Sequence, residues 1–315
     1  MPKNTSRNPA DYIVPLNINH LEGRMLRMAA PKTKQAGNKE ILFVYGSHSS
    51  LERWFGIAQV LNRYGAVTMP DLPGFGGMDS FYTIGKKPTL DNMADYLAAF
   101  IKLRYRRKKV VVVGLSFGFI VATRMLQRYP ELTKKVTLLV SIVGFAHKDD
   151  FKFTRPRYMT YIAGSKILTY RPFAFLFYHI TLNPWLLKKF YGRTHNAKKK
   201  FALAADDPLE IQKINDAEVK LWRENDVRTW GYTTNEFLKL DNCKVKVDMP
   251  VWHVGTKDDS YFDAHLVEQH MRIIFNGFEY GEFQMAAHAP SVMAEEKDAA
   301  GLVPAKLRRR LSRLR

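Results

Sequence analysis

The chain has 315 residues, 46% hydrophobic and 25% charged, a globular balance that excludes disordered, collagenous and low-complexity architectures. Lys and Arg number 49 against 30 Asp and Glu, and the net charge of +19 favours polyanionic contacts: nucleic acid, anionic lipid or acidic substrates. The single cysteine, Cys243, excludes an internal disulfide and a thiolate metal site.

Along the chain, residues 12–19 and 23–29 read as a hairpin, with Tyr12, Val14, Leu16 and Ile18 alternating and Glu22-Gly23 as the turn. Residues 41–45 form a short apolar strand ending at Gly46. Residues 51–64 have helical spacing, and 66–69 form the next strand. Thr89 caps a helix. Residues 110–113, four valines, are a strand of the kind buried on both faces of a parallel sheet. A helix over 117–129 stops at Pro130, and a buried strand spans 136–143. This alternation predicts an α/β fold, a doubly wound, mostly parallel sheet.

The rhythm then breaks. Residues 146–246 contain aromatic-rich helical stretches and no buried-strand run; Asp207-Pro208 opens one helix. Alternation resumes with a strand at 250–255, a helix near 264–275, a strand near 278–283 and a terminal helix from about 291. The expected organisation is a core of residues 1–145 and 247–315 with a helical cap, or lid, over 146–246.

Gly114-Leu115-Ser116-Phe117-Gly118 follows a wholly apolar strand and opens a helix. A sharp strand–turn–helix of this kind lifts a serine hydroxyl to the sheet edge, the geometry of a nucleophile elbow. A nucleophilic serine needs a base, and the base an orienting acid. Asp258 lies just past the 250–255 strand, and His288 lies in the loop after the last strand. Ser116, Asp258 and His288 thus follow one another in nucleophile, acid, histidine order, each after a strand. Asp259 is the adjacent competitor for the acid and Asp149 a more remote one. Of the nine histidines, His253 sits within a strand, and His265 and His270 on a helix. His147, His179 and His195 lie in the insert, and His20 near the hairpin. An oxyanion needs two backbone N–H donors. Phe117, after the nucleophile, supplies one; Ser47, in the loop after the first core strand, is the choice for the other. His48 beside it either contacts substrate or caps the following helix.

These motifs resemble the α/β-hydrolase superfamily. Asp71-Leu72-Pro73-Gly74-Phe75-Gly76 is similar to that family's turn after the next core strand. Gly255-Thr256-Lys257-Asp258 resembles its acid loop, and His288-Ala289-Pro290 its histidine loop. The insert occupies the family's cap position. Two departures stand out. Tyr45 replaces the common histidine before Gly46, so the oxyanion loop is expected to be held differently. Phe119 stands where a second small residue is common. The resemblance implies a serine hydrolase acting on an ester-like, hydrophobic acyl substrate beneath an aromatic lid. Its alternatives are an amidase, aminopeptidase or carbon–carbon bond hydrolase with the same triad, or a non-catalytic binding protein of this fold.

No cofactor or metal is expected, since no metal-ligand spacing such as HExxH occurs. Nucleic acid is not an expected partner, because charge alone points to it. The polar N-terminus lacks a secretory apolar core, and the apolar stretch 172–187 is short and interrupted, so a cytoplasmic protein is expected. The tail adds an expectation of weak, salt-sensitive peripheral contact with anionic membrane. There Leu307, Leu311 and Leu314 share a helical face among Lys306, Arg308, Arg309, Arg310, Arg313 and Arg315.

Overall fold

A computed structural model describes residues 7–182, 208–256, 259–283 and 296–314. The strands are β1 (Ile13–Ile18), β2 (Leu21–Met28), β3 (Glu40–Val44), β4 (Ala66–Pro70), β5 (Val110–Leu115), β6 (Val136–Ile142), β7 (Val247–Gly255) and β8 (Phe275–Glu282). They form one eight-stranded sheet in the order β1-β2-β4-β3-β5-β6-β7-β8. The β1–β2 and β2–β4 pairings are antiparallel and the remainder parallel. The doubly wound, mostly parallel sheet is the one expected. β5 lies inside it, and all six of its residues are buried, which is why its sequence is continuously apolar rather than alternating.

The hairpin turn differs from expectation. Ile18 pairs with Leu21, so Asn19-His20 is the two-residue loop, and both residues have positive φ, 52° and 63°. That backbone twist matches the right-handed twist of the flanking strands. Gly23 instead lies within β2, where a Cβ would fall 2.5 Å from Met78 Cγ.

Helices α1 (Phe55–Asn62), α2 (Leu90–Arg104) and α3 (Phe117–Arg128) connect the parallel strands. Thr89 caps α2 by accepting from the Asn92 N–H. Arg124 to Asp91 (2.6 Å) and Arg128 to Asp95 (2.9 Å) tie α3 to α2. These pairs are partly exposed, and apolar packing does most of the joining.

After β6 the chain enters α4 (Arg155–Ile167), α5 (Arg171–Leu176) and a π-turn (Phe177–Thr181), and later α6 (Pro208–Glu224) and α7 (Val227–Phe237). Leu168, Ala174, Leu182 and Val227 form a small separate core, with Trp222 and Trp230 against it. The two ends of the insert are zipped together. Lys148 donates to Leu240 O (2.8 Å), Asn242 to Ala146 O (3.2 Å), and His147 bridges to Asp241. Asp150, wholly buried at this root, accepts from the Ala146 and His147 N–H groups (2.7 and 3.0 Å) and contacts His270 Nδ1 at 2.5 Å. The His270 contact fixes the root to α8 (Ala264–Ile274). Asp207, expected as the cap of α6, lies outside the described residues.

The last helix, α9 (Ala305–Arg313), corrects the picture of an apolar membrane stripe on the tail. Leu307 and Leu311 are buried in the main core, while Arg309, Arg310 and Arg313 are exposed. The leucines dock the helix and leave a mainly charged face to water. Among the described residues no helix is long and apolar enough to cross a membrane.

Candidate active site

Ser116 stands between β5 and α3 with φ 48° and ψ −116°. A non-glycine residue at positive φ is strained, and strain of this kind persists only where the surroundings fix it. Here they do. Its N–H donates to Ile142 O on β6 (2.9 Å), and its carbonyl accepts from Phe119 N–H (3.0 Å). The flanking glycines make the turn possible. A Cβ on Gly114 would lie 2.5 Å from Phe119 Cα, and one on Gly118 would lie 2.2 Å from Val44 O. Helix α3 can therefore start directly against the end of β3.

Phe119 is accommodated rather than crowded. Its ring is fully buried, 6.0 Å from that of Phe275 on β8. Gly144 leaves the space, since a Cβ there would sit 2.5 Å from Phe119 Cδ1.

The loop after β3 passes beside the serine: a Cβ on Gly46 would lie 3.4 Å from Ser116 Cβ. The Phe117 N–H is the first of its helix and has no intrahelical acceptor. The Ser47 Oγ is buried and has no hydrogen-bond partner among the described residues. Both expected donors thus belong to segments that meet at Ser116.

Tyr45 shows how this loop is held without the usual histidine. Its buried hydroxyl donates to Asp71 Oδ1 (2.6 Å) and accepts from Leu72 N–H (3.0 Å). Burial, then the neighbouring Asp71, pushes the phenol well above its ordinary range, so it remains a donor. Burial also pushes the Asp71 carboxyl up, against the opposing pull of the Tyr45 hydrogen bond and Arg24. Arg24 on β2 reaches Asp71 (3.3 Å), Glu52 (2.8 Å) and Gly76 O (2.5 Å). Gly76 must be glycine: at φ 62° its Cβ would collide with Asp71 Oδ1 at 2.0 Å.

The same 71–77 loop carries the helical insert. Gly77 N–H donates to Glu224 O (3.3 Å), and Asp226 N–H to Gly74 O (2.8 Å). Asn225 Oδ1 accepts from Gly76 N–H (2.8 Å), and its amide nitrogen contacts His48 Nδ1 (3.3 Å). Because Gly76 N–H can only donate, the Asn225 oxygen faces it and the NH2 faces His48. His48 Nδ1 is then the acceptor of the Asn225 amide. The Trp222 ring lies 4.0 Å from that of His48, and His48 itself has φ 53°. The insert therefore grips the residue next to Ser47. Sequence reasoning missed Arg24, Trp222 and Asn225. An arginine on a strand facing an Asp-Leu-Pro-Gly turn was the available hint for the first; 177 residues separate Asn225 from His48, and nothing local joins them.

Of the remaining expected residues, Asp258 and His288 lie outside the described residues. Asp259 is buried, and its Oδ1 accepts from Tyr261 and Phe262 N–H (2.8 and 3.2 Å), the work of a turn residue. Asp149 has a 65% exposed side chain beside His147. His253 is buried on β7 with Nδ1 2.9 Å from Ser141 Oγ, and burial lowers its pKa to about 4. A cleft of about 390 Å³, lined by residues including Met78, Arg171, Tyr178, Arg223 and Arg228, lies beside the α6–α7 junction and does not include Ser116.

Residues 40–290 match the alpha/beta hydrolase fold family. The chain belongs to that family and is a hydrolase of the α/β type. Among solved structures it is similar to the N-formylmaleamic acid deformylase of Pseudomonas putida S16, with a TM-score of 0.61, 14% identity, and 93% of this chain and 100% of that one covered. It is similar to a thermophilic esterase of Thermogutta terrifontis, with a TM-score of 0.59, 15% identity, and 92% and 95% covered. It is also similar to the enol-lactonase of Burkholderia xenovorans LB400, with a TM-score of 0.59, 10% identity, and 95% and 96% covered. At these identities the likeness is one of fold.

Proposed function

We propose that the protein is a serine hydrolase that cleaves a hydrophobic, ester-like substrate by acyl transfer to water. The observation that carries this reading is Ser116, held at positive φ at the start of α3 with the Gly46 backbone against it. In this reading His288 takes the Ser116 proton as Oγ attacks the carbonyl carbon, and Asp258 fixes the imidazole tautomer and stabilises the imidazolium. The N–H groups of Ser47 and Phe117 hold the oxyanion. His288 returns its proton to the leaving alkoxide, then activates the water that breaks the acyl-enzyme ester. The helical insert over 146–246 acts as the lid. The names of two similar structures, an esterase and an enol-lactonase, are consistent with ester chemistry. A fluorophosphonate probe tests the reading. Labelling of the wild type and none of Ser116→Ala is expected; absence of labelling in a folded wild type would favour a non-catalytic binding protein.

A further inference from the structure

The positive charge of this chain is unevenly placed. Residues 151–182 hold five Lys and Arg and no Asp or Glu, in a chain of net charge +19. Their helical elements, α4, α5 and the π-turn, are also where large apolar side chains face water. Met159, Ile167, Tyr170, Phe173, Leu176 and Ile180 are each between 48% and 55% exposed. Phe173, Leu176 and Ile180 recur at helical spacing on one side of α5 and the π-turn. On the other side Ala174 and Leu182 enter the small core, with Phe177 and Tyr178 packed against it. Scattered exposed leucines are ordinary, but a grouped apolar face marks a contact surface. Arg155, Lys166 and Arg171 are exposed on the same elements.

We propose that this face of the insert docks on an anionic lipid surface, its apolar side chains entering the headgroup boundary and its cations facing lipid phosphates. Charge complementarity selects the partner. A segment without a single carboxylate is attracted to an anionic leaflet, and side chains such as Ile180, Leu176 and Met159 gain by burial in acyl chains rather than by stacking on bases. Helices of this kind lie in the interface and need no spanning length. The tail, whose leucines are in the core, is not the contact. The inference is independent of the reaction at Ser116.

Co-sedimentation of the full chain with phosphatidylcholine vesicles, with and without phosphatidylglycerol, tests it at low and high salt. The wild type is expected to pellet with the anionic vesicles and to be released by salt. Phe173→Ser with Leu176→Ser should weaken partitioning at least about ten-fold, and Lys166→Gln with Arg171→Gln about twenty-fold. Arg309→Gln with Arg310→Gln should change it less than about two-fold, since their helix packs on the main core and not on the insert. Thermal melting checks that each variant is folded; if the serine pair is not, the glutamine pair at exposed positions decides. The proposal is overturned by any of three results: no pelleting of the wild type, equal partitioning of folded cap variants, or loss confined to the tail pair. Binding to an RNA oligonucleotide that anionic vesicles do not compete away would also overturn it, in favour of a nucleic acid.

Discussion

The Tyr45 hydroxyl lies 2.6 Å from Asp71 Oδ1, both groups buried, and through this bond the loop beside Ser116 is tied to the glycine-rich turn after β4. Tyr45→Phe would leave the Asp71 oxygen and the Leu72 N–H without their shared partner. Orphaned buried polar groups cost about 1–3 kcal/mol each. The variant is expected to lose about 2–4 kcal/mol of stability by urea titration, with an unchanged m-value. A loss below about 0.5 kcal/mol would mean that the network can relax around the missing hydroxyl.

Catalysis by a Ser116–His288 unit makes a non-additive prediction. Ser116→Ala and His288→Ala should each reduce hydrolysis of a p-nitrophenyl ester at least about a thousand-fold, and the double variant should be little worse. Losses that multiply would argue against a shared proton transfer.

The two adjacent carboxylates should separate cleanly. Asp258→Asn is expected to lower turnover about ten-thousand-fold with folding intact. Asp259→Asn should cost little, because an amide oxygen can still accept from the Tyr261 and Phe262 N–H groups that Asp259 Oδ1 binds. Reversed effects would exchange the roles.

Asn225 should act on turnover through the loop that carries Ser47 and His48. It bridges Gly76 and His48, and its loss would free the loop of Ser47 and His48 from the insert. Asn225→Ala is expected to lower kcat about ten-fold with KM within about two-fold, a fraction of the effect of deleting a donor outright. Asn225→Asp keeps an acceptor for the Gly76 N–H but cannot donate to His48 Nδ1, so it should lose kcat as Asn225→Ala does. Full activity of Asn225→Asp would show that the His48 contact does not govern turnover.

His253 makes stability depend on pH. Its folded pKa of about 4 lies below the ordinary 6.5 because burial disfavours the imidazolium. The unfolded chain therefore binds the extra proton first, and stability falls as pH drops from about 6.5 to about 4, by about 3 kcal/mol in total. Urea titrations across that window should show a steeper decline in the wild type than in His253→Gln. Parallel curves would place the acid sensitivity elsewhere.

Much of this architecture was legible in the residues. The four valines of β5, buried on both faces, can only read as a continuous apolar run, and Thr89 announces α2 because a helix start needs an acceptor for its free N–H groups. Gly114 and Gly118 marked the elbow because a Cβ at either would strike the neighbouring backbone.

Other features depend on partners distant in the chain. The true turn at Asn19-His20 uses residue types that tolerate positive φ, but the glycine of Glu22-Gly23 drew the reading three residues on, and the Ile18–Leu21 register decides the position. The tail leucines have the same spacing whether they meet lipid or core, and only packing consigned Leu307 and Leu311 to the interior. Tyr45 as a substitute for histidine is intelligible once Asp71 and Arg24 surround it. The grip of Asn225 and Trp222 on His48 joins segments whose proximity no local pattern encodes. Sequence periodicity determines which face of an element is apolar; what that face meets is decided when the sheet and the insert close on one another.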